Sequence, residues 1–201
     1  MDKYNIAMDQ ELLERFKENG GYFRNPGLLS RSEKYQLHLA LKNGIISRVK
    51  RGLYRLNGIT MAYQEAEVAQ IVPAGIFCMH TAWAYFELTT HISSLYHMAV
   101  PKSLKISIPD YPPIKLYFWG KATFESGQSE VIINGARVKM YDIEKSVCDA
   151  VKFRNKIGPD LLGEIIRNYV RRDDKNLDKL MKYAAELRIS GTLNQLLQVI
   201  L

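Results

Sequence analysis

Apolar residues recur at helical spacing at the start of the chain. Leu12, Leu13 and Phe16 share one face of a helix predicted over about residues 10–19, with Asp9 as its N-cap and Asn19-Gly20-Gly21 as its stop. Asn25-Pro26 is a second start signal, Asn as cap and Pro at the first helical position. That second helix is short, because Ser30 opens another. Ser30-Arg31-Ser32-Glu33 fits the capping box, in which hydroxyl and carboxylate satisfy each other's backbone N–H groups. The helix then runs to Asn43, and Gly44 is a left-handed stop. Beyond it the period shortens. Ile45–Val49 and Leu53–Leu56 read as strands, with Lys50-Arg51-Gly52 as the hairpin tip between them. Residues 9–56 therefore read helix, short helix, helix, hairpin, which is the order of a winged helix-turn-helix.

The rest of the chain mixes both periods. A helix is predicted over 60–72, a short strand at Ile76-Phe77-Cys78, and an aromatic-rich helix from His80 to Leu88. Strands are expected at 95–100, 104–108, 114–119 and 122–125. Ile132–Val138 is a hairpin signal built on Asn134-Gly135. From Asp142 the pattern is helical, over about 142–153, 159–171, 175–187 and 190–200. The fold class is α+β. A winged helix-turn-helix (residues 1–58) precedes an α+β domain (59–201) with a small sheet and a helical carboxy-terminal tail.

Charge sharpens this division. The chain of 201 residues carries 28 Lys+Arg and 21 Asp+Glu, a net of +7. Residues 24–55 hold Arg24, Arg31, Lys34, Lys42, Arg48, Lys50, Arg51 and Arg55 against Glu33 alone. That one segment carries the whole excess, and the remainder sums to zero. A compact basic module on a neutral body points to a polyanionic partner. On a helical wheel with Leu37 at the centre of the inner face, Ala40, Leu41 and Gly44 cluster toward the core. Arg31, Ser32, Tyr35, His38, Leu39 and Lys42 lie opposite, with Lys34 and Gln36 on the flanks. A face made mostly of hydrogen-bond donors, with a Tyr, suits the major groove of double-stranded DNA. Arg31, Ser32, Lys34, Tyr35, Gln36, His38 and Lys42 are the candidate recognition-helix contacts. Arg48, Lys50, Arg51 and Arg55 are the candidate wing contacts to phosphates or a minor groove. Between Arg55 and Lys102 there is no Lys or Arg. That stretch is expected to build the core beneath the wing or a protein–protein surface.

Other chemistry is sparse. Cys78 and Cys148 stand 70 apart, in no metal-ligand spacing, and suit a reducing cytoplasm. No run of about 18 apolar residues predicts a membrane span, and the first residues lack a signal-peptide pattern. His80, His91 and His97 have no metalloprotease spacing and read as structural or surface residues. Trp83, Tyr85 and Phe86 read as core, and Cys148 as a small buried hydrophobe. A metal-dependent nuclease needs an acid and then acid-x-Lys on an adjoining strand. Asp110 supplies a formal first acid, but Asp173-Asp174-Lys175 falls between predicted helices. No catalytic residue, metal or cofactor is expected. The alternatives to a DNA-binding regulator are a protein-interaction module without specific DNA binding and, with less support, such a nuclease.

Asn43 to Leu56, with Gly21-Tyr22-Phe23 and the Leu37/Leu41 spacing before it, resembles the winged helix of the AbiEi family of antitoxins from type IV toxin–antitoxin systems. Val72-Pro73-Ala74-Gly75-Ile76 followed by His80-Thr81-Ala82 and Val100-Pro101, and Tyr141–Asp149 with Arg154-Asn155-Lys156, are similar to later parts of the same family. Asn25-Pro26-Gly27 departs from the pattern and shortens the second helix. The resemblance implies a winged helix that binds operator DNA and represses its own operon, in phage-defence systems of this type. It also implies a second domain that counteracts a nucleotidyltransferase-like toxin without requiring a tight complex. A homodimer on inverted repeats is the expected DNA-bound form.

Overall fold

The computed structural model describes residues 8–24, 26–58, 64–133 and 136–200. The expected Asn25 cap, the Asn134-Gly135 turn and residues 60–63 of the expected 60–72 helix lie outside these. The chain divides into two compact units, Met1–Val72 with Ser107–Pro109, and Pro73–Ile106 with Asp110–Leu201.

The amino-terminal unit runs α1 (Gln10–Glu18), β1 (Tyr22–Arg24), a 3-10 turn (Pro26–Leu28), α2 (Arg31–Lys42), β2 (Ile46–Lys50), β3 (Leu53–Leu56) and α3 (Gln64–Ile71). Asp9 caps α1 by accepting from the Leu12 N–H at 2.9 Å. The strands form an antiparallel sheet in the order β1-β3-β2. β1 is an addition to the sequence reading: its three residues are too few to show an alternation. The expected second helix is only the 3-10 turn, because Ser30 begins α2 two residues later. Leu12, Leu13, Phe16, Phe23, Leu37, Ala40, Ile46 and Leu56 close one apolar core over this sheet.

The carboxy-terminal unit runs β4 (Ile76–Phe77), α4 (Met79–Tyr85), β5 (Tyr96–Pro101), β6 (Ile114–Trp119), α5 (Lys121–Glu125), β7 (Gln128–Ile133), β8 (Ala136–Tyr141), α6 (Ile143–Lys152), α7 (Arg154–Ile157), α8 (Pro159–Val170), α9 (Leu177–Glu186) and α10 (Ser190–Ile200). Its mixed sheet has the order β6-β5-β4-β8-β7. Two expected strands are corrected. Residues 104–108 form no regular element. Residues 122–125 are helical, because Lys121-Ala122-Thr123-Phe124-Glu125 lacks alternation and Gly120 starts the turn by accepting from the Phe124 N–H at 3.0 Å. Trp83 is buried as expected, but Tyr85 is exposed.

The charged stretch around α6 is spent inside the fold. Asp142 caps α6, accepts from the Tyr183 hydroxyl at 2.9 Å and pairs with Lys179 at 3.1 Å. Glu144 is buried and accepts from the Tyr169 hydroxyl and the Asn176 N–H. Lys145 and Asp149, one turn apart, are fully buried and joined by contacts of 2.6 and 2.8 Å. The Lys145 ammonium also lies 4.4 Å from the ring centroids of both Trp119 and Tyr141. Thr81 accepts from the His97 N–H at 2.8 Å, which ties α4 to β5. Two of the stretches that resemble a known family are thus structural joints.

Removing one member of a buried ion pair strands the other. Asp149→Ala is expected to cost about 3–5 kcal/mol of stability, and Asp149→Ala with Lys145→Met to recover most of it. Urea titration of both variants checks this; equal losses would contradict it. His97 is held between Ser93 and the Tyr117 hydroxyl, and burial, then His80 and Lys115, push its pKa from 6.5 down to about 3. Folded His97 stays neutral where the unfolded chain takes up a proton. Stability is therefore expected to fall as pH drops from 6.5 toward 3. His97→Gln flattens that slope in urea midpoints measured against pH; an unchanged slope would refute the assignment.

Candidate nucleic-acid interface

α2 is fixed at both ends by its own sequence. The Ser30 hydroxyl accepts from the Glu33 N–H at 3.2 Å, and the Glu33 carboxylate accepts from the Ser30 N–H at 2.7 Å. The other Glu33 oxygen lies 3.0 Å from Arg15 on α1. The Ser30 contacts, with Arg15 adding to them, hold the Glu33 carboxyl below its ordinary pKa. At the far end the Gly44 N–H donates to Leu41 O and the Ile45 N–H to Ala40 O, with Gly44 at φ +65°. This is a Schellman stop, and it requires the left-handed conformation that Gly adopts without steric cost.

Leu37 and Ala40 are buried, and that sets the rotation of the helix. Arg31, Ser32, Lys34, Tyr35, His38 and Lys42 are all exposed, Tyr35 by 64%. Gln36 is different. It is half-buried, and its side-chain oxygen accepts from the Asp9 N–H at 3.2 Å, so it braces the start of α1. Leu41 was expected in the core and is 37% exposed. It lines a groove of about 360 Å³ with Leu37, His38, Lys34 and Tyr54. The reason is the shortened second helix. A 3-10 turn with Gly27 facing open space has no side chain to lay over Leu41.

The hairpin pairs Ile46 with Leu56 and Arg48 with Tyr54, then shifts register so that Lys50 faces Leu53. The extra residue in β2 is a bulge, which twists a hairpin tip. Arg48 and Arg51 are exposed. Lys50 is half-buried and donates to Ser107 O at 3.3 Å; burial and then Arg24 hold its pKa below the ordinary value. Arg55 does not project outward as expected of a wing contact. It pairs with Glu67 of α3 at 2.9 Å. Arg24 likewise donates to the backbone and side-chain oxygens of Gln70. Burial beside Glu67 pushes the Tyr22 phenol up to about 12.

The eight basic residues of the segment therefore separate. Arg24 and Arg55 hold α3 against the sheet, and Lys50 is partly occupied. Arg31, Lys34, Lys42, Arg48 and Arg51 are exposed on α2 and the hairpin. The stretch without Lys or Arg supplies the acceptors Glu67 and Gln70, as expected of a core beneath the wing. In the carboxy-terminal unit Asp110 is exposed in a loop, and Asp174 is bound to Arg172 in the turn between α8 and α9. The acid-x-Lys pattern is not on a strand, and no group of three or more metal-ligating residues occurs among the described residues. No helix among them is long and apolar enough to cross a membrane.

Arg55→Ala leaves a mostly buried carboxylate without its partner and is expected to cost about 1–3 kcal/mol. Arg51→Ala, at an exposed tip, is expected within about 0.5 kcal/mol of the parent. Chemical denaturation compares the two; equal effects would contradict the inward role of Arg55.

No curated protein matches the chain. Residues 10–57, which span α1, the sheet and α2, match the model of a family described as transcriptional regulator, AbiEi antitoxin. Over those residues, about a quarter of the chain, the amino-terminal winged helix is similar to the AbiEi antitoxin regulators.

Proposed function

We propose that the protein is a DNA-binding antitoxin that represses its own operon and counteracts a nucleotidyltransferase-like toxin. The observation that carries the DNA part is the gathering of Arg31, Lys34, Lys42, Arg48 and Arg51, all exposed, on the helix and hairpin that match the regulator family. In this reading α2 enters the major groove, with Arg31, Ser32, Tyr35, His38 and Lys42 toward the base edges. Lys34, Arg48 and Arg51 meet phosphates, and Lys50 joins them by giving up its bond to Ser107. Gln36 and Arg55 are left out, because each already serves the fold. Repression and toxin neutralisation rest on the family match of residues 10–57, and the carboxy-terminal unit's share in them on the resemblance of its Val72–Ala82 and Tyr141–Asp149 stretches to that family. Two copies on inverted repeats supply the affinity that one small wing lacks.

Four phosphate contacts give each bound copy a slope of log K against log salt of roughly −3 to −4. Arg48→Ala with Arg51→Ala is expected to weaken all duplexes alike and to reduce that slope by about 2. Tyr35→Ala is expected to change the preference among sequences instead. Fluorescence-anisotropy titrations at several salt concentrations read all three. A slope near zero would sink the proposal, and identical behaviour of the two variants would overturn the division between positioning and reading.

A further inference from the structure

The outward face of α2 has an order as well as a charge. Arg31, Tyr35, His38 and Lys42 recur at intervals of four, three and four residues. At about 3.6 residues per turn they fall within about 60° of one another, on the side away from the buried Leu37 and Ala40. All four are exposed. Their side chains have no hydrogen-bond or ion-pair partner among the described residues. A rise of about 1.5 Å per residue separates Arg31 from His38 by about 10 Å along the axis and from Lys42 by about 16 Å. Those lengths correspond to about three and about five base-pair steps.

What the stripe offers is donors. Arg and Lys carry only N–H groups to give, while Tyr and His can give and accept. In the major groove guanine shows two acceptors, O6 and N7. Adenine sets its N7 acceptor beside an N6 amino donor, and cytosine shows an N4 amino donor. Reading either therefore takes a side-chain acceptor, by preference an amide for adenine and a carboxylate for cytosine.

α2 has one of each, and the fold has withdrawn both. The Gln36 side-chain oxygen accepts from the Asp9 N–H at 3.2 Å. One Glu33 oxygen accepts from the Ser30 N–H at 2.7 Å and the other lies 3.0 Å from Arg15. Neither residue is exposed. Ser32 keeps a free-standing hydroxyl on the flank of the stripe, and a hydroxyl serves either role, so it does not discriminate. The sequence alone offers Gln36 as a reader of adenine. The structure turns it into a brace for α1 and leaves the helix with donors for acceptor-rich base edges.

We propose that α2 reads guanine: Arg31 donates to O6 and N7 of one guanine, and His38 and Lys42 donate to a second, about three to five base pairs away. This rests on the DNA contact proposed above and adds which bases that contact selects. Adenine and cytosine on the contacted strand are not read directly.

The test is selection from a randomised duplex library by the full chain, with sequencing of the bound DNA, followed by anisotropy titration of the enriched duplex. Each enriched half-site is expected to hold two guanines at that spacing. Replacing the guanine opposite Arg31 by adenine is expected to weaken the parent about tenfold or more, the loss of a bidentate pair. Arg31→Ala is expected to bind both duplexes alike, and His38→Ala to relax the other guanine only. Gln36→Ala is expected to lower the melting temperature and to keep both guanines enriched. A half-site of A·T pairs, a guanine preference that survives in Arg31→Ala, or a position that relaxes in Gln36→Ala would overturn the guanine assignment. So would salt-dependent binding without enrichment, which leaves the DNA contact itself standing. Absence of binding to any duplex would overturn both.

Discussion

The amino-terminal unit depends on one carboxylate. Glu33 closes the capping box of α2 with one oxygen and meets Arg15 of α1 with the other. The first contact fixes where α2 begins, and the second helps set how it lies on α1. Leu37 and Ala40 then turn the remaining positions outward. Glu33 is also the one acid in the basic segment. Its charge is drawn to the start of the helix, where it complements the macrodipole, while the cations face away. A helix that must present donors to a polyanion has to begin and end at defined residues, and Ser30, Glu33 and Gly44 meet that need with local chemistry alone.

The second constraint is that a net charge is not a surface charge. Arg24 and Arg55 are held by Gln70 and Glu67, so part of the basic excess works as mortar between the sheet and α3. The carboxy-terminal unit shows the same economy. Asp142, Glu144, Lys145 and Asp149 stand close together in the sequence. In the fold they cap a helix, brace α8 and α9, and neutralise each other in the core. The charged side chains left for a partner are thus fewer than the net charge suggests, and those of the basic segment that stay exposed lie on α2 and the hairpin.

Much of this was legible in the sequence, because the winged helix is built from short-range signals. A capping box spans four residues, a Schellman stop needs one Gly, and the hairpin tip reads directly from Lys50-Arg51-Gly52. What escaped depends on distance along the chain. β1 is three residues long and acquires meaning only beside β3. Arg55 reads as a wing cation until Glu67, twelve residues later, is placed against it. Leu41 sits on the correct face of the wheel, but the turn that would cover it is too short. His80, His91 and His97 have no motif spacing, yet the fold brings the rings of His91 and His97 each to about 5 Å from that of His80. For the carboxy-terminal unit, the stretches that carry the resemblance include structural joints, such as Thr81 on the His97 N–H and the buried Lys145–Asp149 pair.

In the proposed function the outward face of α2 and the hairpin tip form the DNA contact. Amide hydrogen exchange of the full chain, with and without the duplex upstream of its gene, tests that claim most directly. Slowed exchange is expected over residues 30–35 at the start of α2 and over 47–53 in the hairpin, with the amides of α6 and α9 unchanged. Protection confined to the carboxy-terminal helices, or none at all under conditions where the duplex is bound, would contradict it.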